Sequence, residues 1–158
     1  MLYMHSLIKH IAMNIGISLF LIISILITTQ AQSEQSAEEI IKDRKALFSK
    51  NYNTAKKVQS LSSSGDFEEA KELMLEMSEN YKTLIELFPD NTKERFKTEA
   101  TPLIWEEKDK FNSLMEKSSN DMIELVSIIE NSDNIRGSLG QLMWGNCKAC
   151  HSKYRVEH

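Results

Sequence analysis

The chain has 158 residues, of which 41% are hydrophobic and 27% charged, and a formal net charge of −4. This composition is typical of a globular protein with a single core, and the negative charge argues against non-specific binding to nucleic acid. Five Gly and two Pro leave few turn signals, which favours long helices.

Residues 1–31 are predicted to be a signal peptide. Lys9 and His10 precede an uncharged apolar run from Ile11 to Ile27, and small residues then provide a cleavage site after Ala31. An uncleaved membrane anchor is the alternative, because the run approaches the length of the shortest spanning helix. In both cases the domain formed by residues 32–158 lies outside the cytoplasm, and the leader is its only predicted contact with a membrane.

A first helix is predicted from about Ser36 to Ser63, where apolar residues recur at helical spacing. Arg44 interrupts this apolar stripe. Its charged end either extends into solvent or, if it is buried, needs an anionic partner. Phe48 follows one turn later and is either an ordinary core aromatic or the cover of a bound group.

A second helix is predicted from Phe67 to Phe88, where apolar residues alternate steps of three and four. Asp66 is expected to be its N-cap, with Glu69 completing a capping box. Pro89 ends the pattern.

A polar linker from Asp90 to Thr101 leads into a third helix, which is expected to end around Asn131. Ser132 and Asp133 are predicted to cap a fourth helix from about Asn134 to Arg155. No segment has the alternation of a strand, and the short connections make neighbouring helices antiparallel. The predicted fold is therefore all-α, an antiparallel up-and-down four-helix bundle.

The last predicted helix contains the motif C-x-x-C-H, formed by Cys147, Cys150 and His151. Two thiols three residues apart lie on one face of a helix, where each can add to a vinyl group of the same haem. The imidazole that follows can then bind the iron of that haem. The motif indicates the attachment of one covalent haem c in an exported protein.

A redox site, a zinc site and a disulfide fit the two cysteines less well. A thioredoxin-like site needs a βαβ context, which the helical pattern does not provide. A structural zinc site needs four ligands, and the mature chain offers only Cys147, Cys150, His151 and His158. A plain disulfide would leave His151 without a role.

Three segments resemble the cytochromes c′, exported bacterial four-helix-bundle proteins with haem at the C-terminal end. They are residues 41–48 (IKDRKALF), 98–105 (TEATPLIW) and 147–155 (CKACHSKYR). The last of these is the most specific. The similarity covers nearly the whole mature domain.

The resemblance implies roles for the residues of the C-terminal motif. Cys147 and Cys150 would carry the thioether bonds, and His151 would be the axial iron ligand. Arg155 matches the basic residue close to that histidine, although a cation is also favourable at a helix end.

The resemblance also assigns roles to residues outside this motif. Arg44 matches the arginine that binds a haem propionate, and Lys45 stands where the family often has a polar residue. Phe48 matches the bulky apolar group over the open face of the haem. Thr98 is expected at the haem edge.

A related group, the six-coordinate cytochromes c556, places a Met ligand in the first helix, and this chain has no Met there. The difference predicts five-coordinate, high-spin iron. A pocket without a hydrogen-bond donor would disfavour dioxygen and still admit nitric oxide or carbon monoxide.

The chain is thus predicted to be a periplasmic haem protein that transfers electrons, binds nitric oxide or does both. No catalytic activity is predicted. The protein is expected to be a homodimer. The second helix could supply a seam for the dimer. The alternative function is a six-coordinate, low-spin electron carrier, with a Met as the second axial ligand (Met74, Met77, Met115 or Met122).

Overall fold

A computed structural model of the protein describes residues 35–93 and 97–157. The predicted signal peptide, residues 1–31, lies outside the described residues. Within the described ranges, none of the helices combines the length and the apolar character needed to cross a membrane.

The described residues form the predicted all-α bundle. The helices are α1 (Ala37–Ser64), α2 (Phe67–Glu86), α3 (Leu103–Glu106), α4 (Lys108–Ile128), α5 (Ile135–Leu139) and α6 (Gly145–Tyr154). The third predicted helix is interrupted at Glu107, which separates α3 from α4. The fourth is continuous from α5 to α6 but contains a π-helical turn at Gly140–Trp144.

The helix starts differ in part from the predicted caps. The capping box belongs to α1, where the Ser36 hydroxyl accepts from the Glu39 N–H at 3.3 Å and the Glu39 carboxylate accepts from the Ser36 N–H at 3.0 Å. Asp66 precedes α2 but its side chain makes no capping hydrogen bond. Its carboxylate accepts from the Ser64 hydroxyl at 2.6 Å instead, so the capping box predicted there is wrong.

The start of the last helical stretch also differs from the prediction. Asn134, and not Ser132 or Asp133, is the N-cap of α5, and its side chain accepts from the Gly137 N–H at 2.9 Å. The amide of Asn134 can cap as well as the two residues before it.

The core lies between the long helices. Six of the seven apolar positions of the α2 pattern are buried (Ala70, Met74, Met77, Tyr81, Leu84 and Phe88), and Phe67 packs half-buried against them. The predicted seam therefore faces the core, and its buried side chains are not available to a second protein. Each large side chain buried in this way contributes about 1.5–3 kcal/mol to stability.

The end of α6 pairs with the segment before α3. The Thr101 N–H donates to the Tyr154 carbonyl at 3.0 Å, and the Val156 N–H donates to the Glu99 carbonyl at 2.8 Å. These bonds fix the C-terminal end of the last helix against the loop that precedes the third helical segment.

Gly65 provides a test of the connection between α1 and α2. It has a φ of 87°, in the left-handed region, and an added Cβ would meet nothing within 4 Å. Gly65→Ala should therefore lower the free energy of unfolding by about 1 kcal/mol through backbone strain alone. Urea unfolding of the two proteins measures the difference.

Gly140→Ala is the matched control. Gly140 has a helical φ of −60° and equally open surroundings, so alanine there should be neutral or stabilise by about 0.5–1 kcal/mol. Equal effects of the two substitutions would contradict the role given to Gly65.

Candidate haem-binding site

The C-x-x-C-H motif lies on α6, directly after the π-helical turn. Cys147 and Cys150 are half-buried free thiols, and His151 is exposed. Burial raises the pKa of Cys147, and it raises the pKa of Cys150 to about 11, where the neighbouring Cys147 adds a smaller contribution. The two sulfur atoms are thus turned towards the bundle as neutral thiols.

Tyr81 of α2 contacts this pair from inside the core. Burial is the main cause of a raised pKa of Tyr81, and the proximity of Cys147 raises it further. Sequence reasoning treated Tyr81 as one more apolar residue of the α2 pattern. The available signal was its hydroxyl group, because a buried tyrosine oxygen usually has a hydrogen-bond partner.

Arg44 is buried and does not extend into solvent, since only 2% of its surface is exposed. Its guanidinium donates to the Leu87 carbonyl at 3.1 Å and to the hydroxyl groups of Thr92 and Thr98 at 3.4 and 3.0 Å. The guanidinium carbon lies 4.2 Å from the centre of the Phe88 ring. Burial lowers the pKa of Arg44 to about 10, so the group remains a cation at neutral pH.

These partners of Arg44 are all uncharged. Among the described residues, no ion pair joins the guanidinium to a carboxylate. A buried cation is costly without an anion nearby. The surroundings of Arg44 therefore suit a ligand that brings its own negative charge.

Three further residues with predicted roles lie near Arg44: Lys45, Thr98 and Phe48. Lys45 is exposed, and its ammonium group donates to the Lys97 carbonyl at 2.6 Å. Thr98 is brought to Arg44 by the hydrogen bond already described. Phe48 is half-buried, and its ring packs edge-on against Phe88 with 6.3 Å between the centroids.

Phe48 and His151 lie at similar heights along the bundle. At one level Tyr52 of α1 packs edge-on against Trp144, with ring centroids 6.1 Å apart. From this level α1 and the last helical stretch run in opposite directions. The residues from Trp144 forward to His151 therefore lie alongside the residues from Tyr52 back towards Arg44. Phe48 lies between Tyr52 and Arg44, in this part of α1.

The same face of α1 also carries a buried amide. Asn51 is 4% exposed, and its Oδ1 accepts from Asn80 at 2.8 Å, whereas its Nδ2 has no hydrogen-bond partner among the described residues. Asn51 shares the buried stripe of α1 with Arg44. The sequence predicts a pocket without a hydrogen-bond donor, but the buried stripe of α1 contains this amide donor.

Arg155 lies close to His151. Its Nε contacts the Glu99 carboxylate at 2.7 Å. Burial is the main cause of a lowered pKa of His151, and the positive charge of Arg155 lowers it further. Both effects favour the neutral imidazole, which is the form that binds a metal.

The residues present fit a covalently bound haem. Two neutral thiols lie three positions apart, with an imidazole next to the second. Towards the same end of the bundle lies a buried guanidinium that no carboxylate of the described residues pairs with. The described residues contain no group of three His, Cys, Asp or Glu side chains arranged to hold a metal ion.

Comparison with known proteins agrees with this arrangement. A family model described as Cytochrome C′ matches residues 39–155. A cytochrome c′ of Rhodopseudomonas palustris is 28% identical over 122 residues, which cover 75% of this chain and 83% of that protein.

Solved structures show the same similarity. The solved structure of cytochrome c′ from Rhodopseudomonas palustris has a TM-score of 0.68 at 27% identity, and the match covers 78% of this chain and 98% of that chain. A ferrous variant of Alcaligenes xylosoxidans cytochrome c prime with bound NO has a TM-score of 0.67 and covers 80% of this chain and 100% of its own. At 17% identity, the second match shows a shared fold.

The family match extends over the helices that carry both the C-x-x-C-H motif and Arg44. The sequence motif, the bundle and the relatives therefore lead to one conclusion. The chain belongs to the cytochrome c′ family, whose members carry one covalent haem c.

Proposed function

We propose that this protein is a periplasmic cytochrome in which the haem iron is five-coordinate and binds nitric oxide. The observation that carries the proposal is the pairing of a complete C-x-x-C-H motif on α6 with a first helix, α1, that contains no Met. When bound, the haem supplies an iron that cycles between ferric and ferrous states and can take a small ligand.

Cys147 and Cys150 form the covalent attachment in this proposal. Each thiol would be joined to one vinyl group of the haem as a thioether. His151 would hold the iron through its imidazole, and its burial, followed by the positive charge of Arg155, lowers the pKa of His151 and favours the neutral ring.

Arg44 binds the propionate end of the haem, which supplies the negative charge that its present partners lack. Thr98 and Thr92 already hold the guanidinium in place, so little side-chain freedom is lost on binding. Lys45 lies on the neighbouring exposed surface and adds positive charge near the same end.

Phe48 would cover the open face of the bound haem. A bulky side chain here excludes larger ligands and leaves diatomic gases as the ligands that fit, with carbon monoxide as a second candidate. The bound NO of the Alcaligenes xylosoxidans structure supports this assignment. The chain's own residues bind and orient in this proposal, and none of them is assigned a catalytic step.

The alternative Met-ligated carrier receives less support. Met74, Met77, Met115 and Met122 are at most 1% exposed and belong to one core cluster with other apolar side chains. This environment explains their presence by packing alone.

Export to the periplasm is part of the same proposal. Residues 1–31 form its signal peptide and residues 32–158 the mature domain. Attachment of haem through two thioethers requires reduced thiols, and Cys147 and Cys150 are both free.

We also propose that the protein is a homodimer. An apolar groove runs between α1 and α2, lined by Asp43, Ala46, Leu47, Lys50, Thr83 and Leu87. Lys50 already pairs with Glu76, so the apolar side chains Ala46 and Leu47 are the surface that a second copy would cover in this proposal. A two-fold axis through this centre would bring the same apolar side chains of the two copies together.

The spin state and the response to nitric oxide test the first proposal. The purified ferric protein should give a high-spin electron paramagnetic resonance spectrum, and adding nitric oxide to the ferrous protein should shift its Soret band. Phe48→Ala should raise the association rate of carbon monoxide roughly tenfold, which corresponds to about 1.4 kcal/mol of relieved steric cost.

Phe67→Ala is the control. It removes a half-buried aromatic ring at the start of α2, whereas Phe48 packs near the end of that helix. It should leave the carbon monoxide rate unchanged. A low-spin spectrum with a Met–iron charge-transfer band would instead establish the six-coordinate electron carrier.

The role of Arg44 is tested by the reduction potential of the haem. Arg44→Leu removes a positive charge near the iron and should lower the potential by several tens of millivolts, because two charges ~10 Å apart interact by roughly 1–2 kcal/mol. Arg44→Lys keeps the charge and should retain most of the potential. An unchanged potential in Arg44→Leu, measured by optical redox titration, would contradict the propionate assignment.

The dimer is tested by sedimentation velocity. Ala46→Lys places a charge in the groove and should convert the dimer to a monomer of half the mass. Ile123→Lys, at a 45% exposed apolar position of α4, is the control and should remain dimeric. A wild-type protein that sediments as a monomer would rule out this interface.

A further inference from the structure

The helix that carries the motif is joined to α4 by a buried polar contact next to Cys147. The Asn146 Nδ2 donates to the Asp121 carboxylate at 2.8 Å. Asn146 is 5% exposed and Asp121 7% exposed. A buried carboxylate is costly unless it is hydrogen-bonded. This hydrogen bond therefore fixes the position of Asn146 relative to Asp121.

The same Asn146 amide also reaches back into its own helix. Its Nδ2 donates to the Leu142 carbonyl at 2.7 Å, inside the π-helical turn. At this turn the Gly145 N–H bonds to the Gly140 carbonyl, five residues earlier. Asn146 therefore connects the wide turn to α4 through one side chain.

The π-helical turn changes the direction in which the following residues point. Each residue advances a helix by roughly 100°, so an extra residue in a turn rotates everything after it by about that angle. The orientation of Cys147, Cys150 and His151 relative to the core thus depends on how this turn is held.

We propose that Asp121 and Asn146 are positioning residues for the haem, which set the rotation of α6 and therefore the orientation of the His151 imidazole towards the iron. This inference rests on the proposed attachment through Cys147 and Cys150. Asp121 also pairs with Lys117, one turn earlier on α4, which fixes the position of its carboxylate. Neither Asp121 nor Asn146 contacts the iron in this assignment.

Resonance Raman spectroscopy of the ferrous holoprotein tests the assignment, because the iron–histidine stretching band reports the orientation of the imidazole. Asn146→Ala should shift or broaden this band. Asp121→Leu removes the acceptor without leaving an unpaired buried charge, so it should fold and produce the same change. Asp121→Asn keeps an oxygen that accepts from Asn146 and should preserve the wild-type band.

Ser78→Ala is the matched control for stability. The hydroxyl groups of Ser78 and Ser119 form a buried hydrogen bond of 2.8 Å between α2 and α4, so its loss should lower the melting temperature without moving the band. An unshifted band in Asp121→Leu, or an equal shift in Ser78→Ala, would overturn the proposal. Failure of the haem attachment itself would appear separately, as a wild-type protein without covalent haem in its mass spectrum.

Discussion

A flat group held by two sulfur atoms of one helix constrains the rotation of that helix more than its position. Cys147 and Cys150 meet this constraint because α6 is held at both ends. Before the motif, Asn146 bonds to Asp121 of α4. After it, the Thr101 N–H donates to the Tyr154 carbonyl at 3.0 Å. Between these two contacts α6 has little freedom to rotate about its axis. The face of α6 that carries Cys147 and Cys150 is therefore held in one direction.

The cation at the other end of the site organises the chain in a different way. Arg44 comes from α1, and its partners come from the end of α2 and from the segment that follows, at Leu87, Thr92 and Thr98. Hydrogen bonds to a charged donor are stronger than those between neutral groups, so one side chain holds the end of α2, Thr92 and Thr98 together. Arg44 therefore contributes to the fold as well as to the anion binding that we propose for it.

Features that depend on residues close together in the sequence could be predicted from it. Helical periodicity located α1, α2 and α4, and the C-x-x-C-H spacing predicted the covalent haem c that members of the family carry. Caps were less predictable, because the neighbouring residues Asp133 and Asn134 can both act as caps and the local backbone decides between them. Long-range contacts were not predictable at all. The hydrogen bond of Asn146 to Asp121 and the proximity of Tyr81 to Cys147 join residues that are distant in sequence, and periodicity only marks such residues as buried.

The two tryptophans of the chain lie at the two ends of the site. The Trp105 ring centre is 6.0 Å from the guanidinium carbon of Arg44, and Trp144 precedes Cys147 by one helical turn. A porphyrin between them would accept excitation energy from both indoles and quench their emission. Intrinsic fluorescence would then reappear when either end of the bundle separates from the porphyrin, so the protein contains its own optical reporter of the order in which the site comes apart.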